Sequence, residues 1–476
     1  MAIQFSEEQI IDKARFENPW WESHSIDTYF NGMKRREYFS LFFPLVKERS
    51  VKRALVLMGP RRVGKTVLLY HSIDALIQSG IDPRHICYFS IETPLYNGCS
   101  LEELVKIFLK VNSLKKADQL YIIFDEIQYL KSWEIHLKSL VDSYHNYKFI
   151  VSGSAAAALK LRSQESGAGR FTEFILPPLT FHEYLELSNL ENLISNKEEV
   201  EDWFKPVDIK TLNQKFLDYI NFGGYPELSL SPIMQSDPGR YVRSDIIDKV
   251  LLRDLPSLYG INDIQELNSL FTYIAYNTGS EMSLDGISQN AGVAKNTIKK
   301  YLTYLEAAFL IKIIHRVDQN SKKFNRANFF KVYLTNPALR GALFSPVSGT
   351  DSFLGNMVET AIFSQWQHSQ LEPLYYARWA TGEVDLVSLD VTQKPNWCIE
   401  IKYSNRYVNN FSELKNMRIF CNKHNILSAV VTTIDIFKIV KVDNTTYEFV
   451  PASVYAYTVG RNLIKGRLEM DVSNKS

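Results

Sequence analysis

The stretch Arg53–Thr66, RALVLMGPRRVGKT, constrains this chain more than any other. An apolar run, Ala54–Met58, leads into Gly59, and Gly64-Lys65-Thr66 completes the spacing G-x-x-x-x-G-K-[ST] before Val67, Leu68 and Leu69 continue with helical character. That order predicts a strand, a phosphate loop and a helix. Glycines let the backbone curl so that successive N–H groups point inward, at a helix N-terminus whose dipole already favours an anion. A nucleoside triphosphate fits such a cradle, here Gly59-Pro60-Arg61-Arg62-Val63-Gly64-Lys65-Thr66-Val67. Lys65 is then placed to reach the β- and γ-phosphates, and the Thr66 hydroxyl to bind Mg²⁺. A chance glycine turn is the alternative, and the length of the pattern and its flanks argue against it.

The segments that follow extend the same reading. HICYFSIE (85–92) reads as a buried strand, and SLEELVKIFLKV (100–111) as a helix with Ser100 and Glu103 forming a capping box. In QLYIIFDEIQYL (119–130) the apolar run Tyr121 to Phe124 ends in Asp125-Glu126, acids at the carboxyl end of a buried strand, where ligands of parallel sheets bind. Asp125 is expected to hold the Mg²⁺ water shell and Glu126 to polarise the attacking water. KFIVSGSAAAAL (148–159) predicts another buried strand ending in Ser152-Gly153-Ser154. The Ser152 hydroxyl either senses the γ-phosphate and lytic water or caps the next helix. Arg170, in ESGAGRFTEFILPPLTFHEYLEL (165–187), either stabilises transition-state charge, in cis or from a neighbouring subunit, or pairs with a surface acid.

At 476 residues the chain is too long for one ordinary core, and size alone suggests about three domains. No apolar segment is long enough to span a bilayer, and MAIQFSEEQIIDKARF lacks the apolar core of a secretory signal, so a cytoplasmic protein without a membrane partner is expected. Cys87, Cys99, Cys398 and Cys421 are scattered without zinc-site spacing and read as free thiols. A net charge of +1 excludes a global pull towards nucleic acid, so any DNA site must be a local basic patch.

Ahead of the phosphate loop, Trp20 and Trp21 either pack under the nucleotide base or are core aromatics. Tyr38, Phe39, Phe42, Phe43 and Leu45 mark an apolar helix face. Residues 188–215 are polar and read as loop or short helix. MSLDGISQNAGVAKNTIKKYLTYLEAAFLIKIIHRV (282–317) predicts a short helix, a turn at Gly292 and a longer helix with Ile298, Tyr301, Leu302 and Leu305 inward. With the strand LIKIIHRV and KKFNRANFFKVYL (322–334), this reads as a winged helix. Lys295, Lys299 and Lys300 on its second helix, and Lys322, Lys323 and Arg326 in the wing, are candidates to neutralise DNA phosphates, unless that face is a solvated protein-binding surface.

From about Asp351 the pattern is a helix (353–366) carrying Glu359, strands at 374–379, 383–389 and 397–403, a helix at 411–423 and a strand at 429–433. Asp385 and Glu400 on adjoining strands can bind Mg²⁺ together with Glu359, while Lys402 orients or activates water. A plain Glu–Lys cross-pair on a solvated sheet is the alternative for Glu400 and Lys402 alone.

With NPWW (18–21), GPRRVGKT (59–66), FDEIQYL (124–130), SGS (152–154), AGR (168–170), PLTFHEYL (178–185), GGYPE (223–227), EVD (383–385) and EIK (400–402), the chain resembles bacterial and archaeal AAA-like P-loop ATPases. These carry a winged helix and a C-terminal restriction-endonuclease-like, or PD-(D/E)xK, domain. The resemblance implies an α/β fold in which an AAA-like P-loop NTPase parallel sheet precedes a helical and winged-helix region and an α/β nuclease-like domain. The expected boundaries are 1–50 for a helical lead-in, 51–187 for the ATPase, 188–264 for a helical linker, 265–345 for the winged helix, 351–460 for the nuclease-like domain and 461–476 for a tail. It also implies ATP as cofactor with Mg²⁺, Mn²⁺ being possible at the nuclease-like site. Lys65, Thr66, Asp125 and Glu126 would serve ATP hydrolysis, and Glu359, Asp385, Glu400 and Lys402 metal-dependent cleavage. Expected partners are DNA and further copies of the chain. The competing expectation is a nucleotide-dependent switch whose nuclease-like domain is only a binding platform.

Overall fold

Apolar runs without alternation need cover on both faces, and four of them form buried strands of a parallel sheet in the computed structural model. These are β1 (Ala54–Met58), β2 (Ile86–Ser90), β3 (Leu120–Asp125) and β4 (Tyr147–Gly153), and β5 (Phe171–Ile175) completes the order β2-β3-β4-β1-β5. The structure describes residues 6–96, 98–153, 169–200, 203–318, 329–369 and 374–473, with side chains for all of these except 196–200, 258 and 469–473. Two units are present, Met1–Pro177 and Pro178–Ser476.

In the first unit, helix Lys65–Gln78 follows β1, helix Leu101–Val111 follows β2 and helix Trp133–Ser143 follows β3. Ser100 caps the second of these with Glu103, as its spacing predicts. Because β4 inserts between β1 and β3, the ends of all three strands meet beside the phosphate loop. The edge strand β2 would expose the outward peptide groups of Ile86, Tyr88 and Ser90. Side chains of residues 17–21 take four of them, while Ile86 N donates to Pro83 O and Ser90 O accepts from Thr93 N. Asn18 Nδ2 donates to Tyr88 O at 2.8 Å and Asn18 Oδ1 accepts from Tyr88 N at 2.6 Å. The indole N–H groups of Trp20 and Trp21 donate to Ile86 O at 3.0 and 2.8 Å, and Glu17 Oε2 accepts from Ser90 N at 3.4 Å. Of the two readings of Trp20 and Trp21, the core one matches this packing: both are buried, and Trp21 stacks on Phe108.

The second unit is built on a nine-stranded sheet in the order β15-β16-β14-β13-β12-β11-β9-β10-β8, with a separate hairpin of β6 (Ile194–Val200) and β7 (Trp203–Pro206). Its strands are β8 (Glu281–Ser283), β9 (Ile311–Val317), β10 (Phe329–Leu334), β11 (Tyr375–Trp379), β12 (Gly382–Leu389), β13 (Pro395–Glu400), β14 (Ser428–Thr433), β15 (Lys438–Val442) and β16 (Thr445–Pro451). β9 pairs with β11 in parallel, so strands read from two separate stretches of sequence share one sheet. The 188–215 stretch is not loop: beyond the hairpin, helix Ile209–Phe222 starts at an Asp208 cap, and Leu212, Phe216, Tyr219 and Ile220 form its buried stripe. The polar residues 195–202 hid the hairpin, which Trp203 anchors by donating to Glu448 Oε2 at 2.7 Å. Helices Ile264–Tyr276, Leu284–Ala291 and Lys295–Ala307 follow, and Gly292, at φ 69°, ends the second of them. Ile298, Tyr301, Leu302 and Leu305 are buried as the helical spacing predicts. Helix Leu354–Trp366 carries Glu359, and what reads as a tail from 461 is the continuation of helix Ala452–Ser473. No helix among the described residues is long and apolar enough to cross a membrane.

Candidate nucleotide and metal sites

The phosphate loop turns on three positive-φ residues: Gly59 at 155°, Arg62 at 65° and Gly64 at 91°. At Gly59 a Cβ would stand 2.2 Å from Leu176 O, so the close pass of the loop beneath that carbonyl requires glycine. Val63 is buried, and Arg36 Nη1 donates to Val63 O and Pro177 O, both at 2.9 Å, which pins the loop from below. Lys65 Nζ donates to Gly59 O at 3.1 Å and Pro60 O at 2.8 Å, folded back over the loop it is expected to share with phosphates. Arg61 Nη2 donates to the Tyr129 hydroxyl at 3.3 Å, while Arg62 is exposed and Thr66 and Val67 are half-buried.

Asp125 is the hub of this site. Its Oδ2 accepts from the Thr66 hydroxyl and the Tyr88 hydroxyl, each at 2.7 Å, and its Oδ1 accepts from the Ser152 hydroxyl and from Glu126 N at 3.1 Å. Burial, and then the neighbouring Glu126 carboxylate, push the Asp125 carboxyl above its usual range, and the bonds from Ser152, Thr66 and Tyr88 oppose that. Glu126 stands at φ 54°, a left-handed turn that ends β3 and swings its side chain to Gln128 Nε2. Paired oxygens from Thr66 and Asp125 beside a glycine loop are the donor set a triphosphate-bound Mg²⁺ takes.

Ser152 is fully buried on Asp125, and Ser154 and Ala168 lie outside the described residues. Arg170 requires a correction to the cis expectation. Its carbonyl accepts from Ala54 N, at the start of β1, while the phosphate loop leaves the other end of that strand; five strand residues separate them by about 15 Å. Its guanidinium pairs instead with Asp142 on the surface. Tyr88 and Arg36 were not legible, since only the strand order brings one to Asp125 and only the loop's path brings the other beneath it.

In the second unit, Leu386 pairs with Ile399 at the end of the β12–β13 ladder, and the same antiparallel register carried one residue further sets Asp385 opposite Glu400. Opposite residues share a face of the sheet. Next to them, β11 and β12 are out of step by one residue between Tyr375↔Val387 and Ala377↔Val384, a bulge of the kind that re-aims side chains. Asp385 Oδ2 accepts from Ile401 N at 2.8 Å, and Lys402 Nζ lies 2.8 Å from Glu400 Oε1 and 3.4 Å from Asp385 Oδ2. Glu400 Oε2 is buried with no hydrogen-bond partner. Burial, then the Asp385 charge, push the Glu400 carboxyl up to about 8, whereas Asp385, despite its burial, is held below the usual range by Lys402, Lys331 and the Ile401 N–H.

Glu359 does not meet Asp385 and Glu400 directly, which corrects its expected place as a shared metal ligand. Lys331, on β10, stands between them: its Nζ is 3.0 Å from Glu359 Oε1, 2.9 Å from Glu383 Oε1 and 3.8 Å from Asp385 Oδ1. The Tyr333 hydroxyl also donates to Glu359 Oε1 at 2.5 Å. Lys331 escaped the sequence reading, although a lysine inside the apolar run FFKVYL is a recognisable signal of a buried, paired charge. Oxygen donors from Asp385 and Glu400, one of them orphaned, fit a hard divalent cation.

Among the candidate DNA-facing residues, Lys295 pairs with Asp285, whereas Lys299 and Lys300 are exposed, with no acidic partner among the described residues. Lys322, Lys323 and Arg326 lie outside the described residues.

A family model described as an AAA domain matches residues 51–185, and one described as a domain of unknown function, DUF8612, matches residues 213–351. An uncharacterized protein of Haemophilus influenzae is 27% identical over 291 residues, 60% of this chain and 68% of its own. An uncharacterized protein of Methanocaldococcus jannaschii is 24% identical over 361 residues, 74% of this chain and 76% of its own. Among solved structures, a Walker-type ATPase of Pyrococcus abyssi is similar with a TM-score of 0.38 at 14% identity, over 64% of this chain and 94% of that one. AMPPCP-bound DnaA from Aquifex aeolicus is similar with a TM-score of 0.30 at 15% identity, over 61% of this chain and 92% of that one. Structural likeness at that level carries no weight here. The family match and the phosphate-loop motif together make residues 51–185 an AAA-type P-loop ATPase domain.

Proposed function

We propose that the AAA-type P-loop ATPase domain of this protein governs DNA binding and metal-dependent DNA cleavage by the remainder of the chain. In this reading residues 265–345 are a winged helix and residues 351–460 a PD-(D/E)xK nuclease-like domain. At the ATPase site, Lys65 holds the terminal phosphates, Thr66 and Asp125 hold Mg²⁺, Ser152 fixes the Asp125 carboxylate, and Glu126 orients the attacking water. Mg²⁺ supplies charge neutralisation at the phosphates. Arg170 serves ATP hydrolysis from one copy of the chain to another. Lys299 and Lys300 contact DNA phosphates.

The observation that carries the cleavage reading is the convergence of Asp385 and Glu400 on the Lys402 ammonium, with one Glu400 oxygen unused. Asp385 and Glu400 would hold a divalent cation, whose chemistry is to polarise a phosphate oxygen and to lower the pKa of bound water. Lys402 would orient that water at the phosphorus. Full-length protein with Mg²⁺ or Mn²⁺, with and without ATP, should cut at least one of linear, circular, single-stranded or branched DNA, and Glu400→Gln should not. Equal nicking by wild type and Glu400→Gln would assign the cleavage to a contaminant and refute the reading.

A second reading, a nucleotide-dependent switch whose nuclease-like domain only binds, is favoured by one specific observation. The ammonium groups of the buried Lys331 and the partly buried Lys402 already neutralise part of the carboxylate cluster without any metal.

A further inference from the structure

Lys331 is unusual for a lysine in being 3% exposed at the middle of a strand, in a run whose neighbours Phe330, Val332 and Tyr333 are themselves buried. An ammonium group has three N–H donors and no acceptor. Here it faces three carboxylates from one helix and one strand: Glu359 Oε1 at 3.0 Å from the helix Leu354–Trp366, and Glu383 Oε1 at 2.9 Å and Asp385 Oδ1 at 3.8 Å from β12. The Tyr333 hydroxyl completes the shell of Glu359. Oxygens converging from separate elements on one small positive group are what a bound cation collects, at the longer spacing that N–H donors impose.

The charges say how much more cation the cluster accepts. With all four carboxyls ionised, as a bound cation would hold them, Glu359, Glu383, Asp385 and Glu400 against Lys331 and Lys402 leave two negative charges; the more exposed Arg378, 3.1 Å from Glu383 Oε2, is shared with Glu281 and offsets only part of one. One divalent ion on Asp385 and Glu400 meets that deficit. A second, set about 4 Å away as in two-metal phosphoryl-transfer sites, would fall towards Glu359 and the inner oxygen of Asp385, where the Lys331 ammonium stands.

We propose that Lys331 is the resident second cation of this cluster, so that the site binds a single divalent ion and Lys331 fixes Glu359 and Asp385 in place of another. The proposal rests on the reading of Asp385 and Glu400 as a metal site. Lys331 is a positioning residue: its donors are engaged by carboxylates, and it holds the acids in register for the one ion that binds beside them.

The test counts Mn²⁺ on full-length, nucleotide-free protein by equilibrium dialysis and electron paramagnetic resonance, with Asp385→Asn subtracting ions bound elsewhere. Wild type should hold one Mn²⁺ at the cluster, and Lys331→Met should hold two, with the spectral broadening of a coupled Mn²⁺ pair. Removing a buried cation can itself impair folding, so Lys331→Met/Glu383→Gln, which removes one charge of each sign, provides the second variant and should also acquire the coupled pair. Two ions in wild type, or a single uncoupled ion in whichever of these variants folds, would overturn the role of Lys331 while leaving the metal site intact. No Mn²⁺ attributable to Asp385 in any of the proteins would instead overturn the metal-site reading on which it rests.

Discussion

Replacing Lys148 by Met should stabilise the ATPase unit at neutral pH. Lys148 is 7% exposed near the start of β4, and among the described residues its ammonium donates only to Glu48 O, at 2.7 Å. Burial, with Arg49 and Lys52 nearby and only Glu48 opposing, brings its pKa down from 10.5 to about 8. A fall of that size corresponds to about 3 kcal/mol of cost for keeping the group charged in the folded state. The lost hydrogen bond offsets about 1.5 kcal/mol of this, leaving a net gain of about 2 kcal/mol and a Tm increase on the order of 4–8 °C for a unit of this size. The sign with pH follows from proton counting. Below pH 8 both states carry the proton and the penalty is complete; between about 8 and 10.5 the unfolded chain binds a proton that the folded one has lost, so wild-type stability rises with pH. In Lys148→Met this rise should be absent. The assay is calorimetry at pH 7.5 and pH 10, following the transition that moves when Mg²⁺-ATP is added, since only that one reports the nucleotide-binding unit. ATP affinity should be unchanged, because Lys148 lies at the end of the sheet opposite the phosphate loop. A variant less stable than wild type at pH 7.5, or one with the same pH dependence, would refute the reasoning.

Lys65→Ala should lose tight ATP binding, whereas Glu126→Gln should bind ATP normally and release phosphate at least about 100-fold more slowly, as measured by filter binding and phosphate release. Arg170→Ala should leave ATP turnover of dilute protein intact and reduce it only at concentrations where copies associate; a loss independent of concentration would contradict the placement of Arg170 far from its own phosphate loop. Asn18→Ala should cost about 2 kcal/mol in chemical denaturation, because it strips both Tyr88 N and Tyr88 O of their partner at the sheet edge; a change below about 0.5 kcal/mol would mean that water replaces Asn18 there. Changing Lys299 and Lys300 together to Ala should weaken DNA binding and reduce the slope of log affinity against log salt by about 1.8, since each phosphate contact releases counterions. An unaltered slope would turn that helix towards another partner.

The elements of the ATPase unit were legible because its strands are unbroken apolar runs and its loop is a long, spaced motif; β1, β2, β3 and β4 follow the stretches read from sequence. The hairpin at 194–206 was not, because its polar residues carry no period and its anchor, Trp203, acts on Glu448 more than 200 positions away. The candidate carboxylates stood out as one acid on a helix and two on adjoining strands, but their relations did not. Glu359 read as a third ligand because helix order alone cannot show that a lysine from another strand reaches it first.

Local chemistry therefore determined what short-range physics controls: the phosphate loop with Gly59, Lys65 and Thr66, the acids ending β3, the Ser100 cap, the buried stripe of helix Lys295–Ala307. Each depends on spacing within a few residues, which the chain carries in its order. Tertiary structure alone decided that Tyr88 bonds Asp125, that Asn18, Trp20 and Trp21 close the β2 edge, that Arg170 sits away from its own phosphate loop, and that Lys331 lies among Glu359, Glu383 and Asp385. Those outcomes depend on strand order and on where long side chains end, and buried charges and edge peptide groups find their partners only when distant segments have packed.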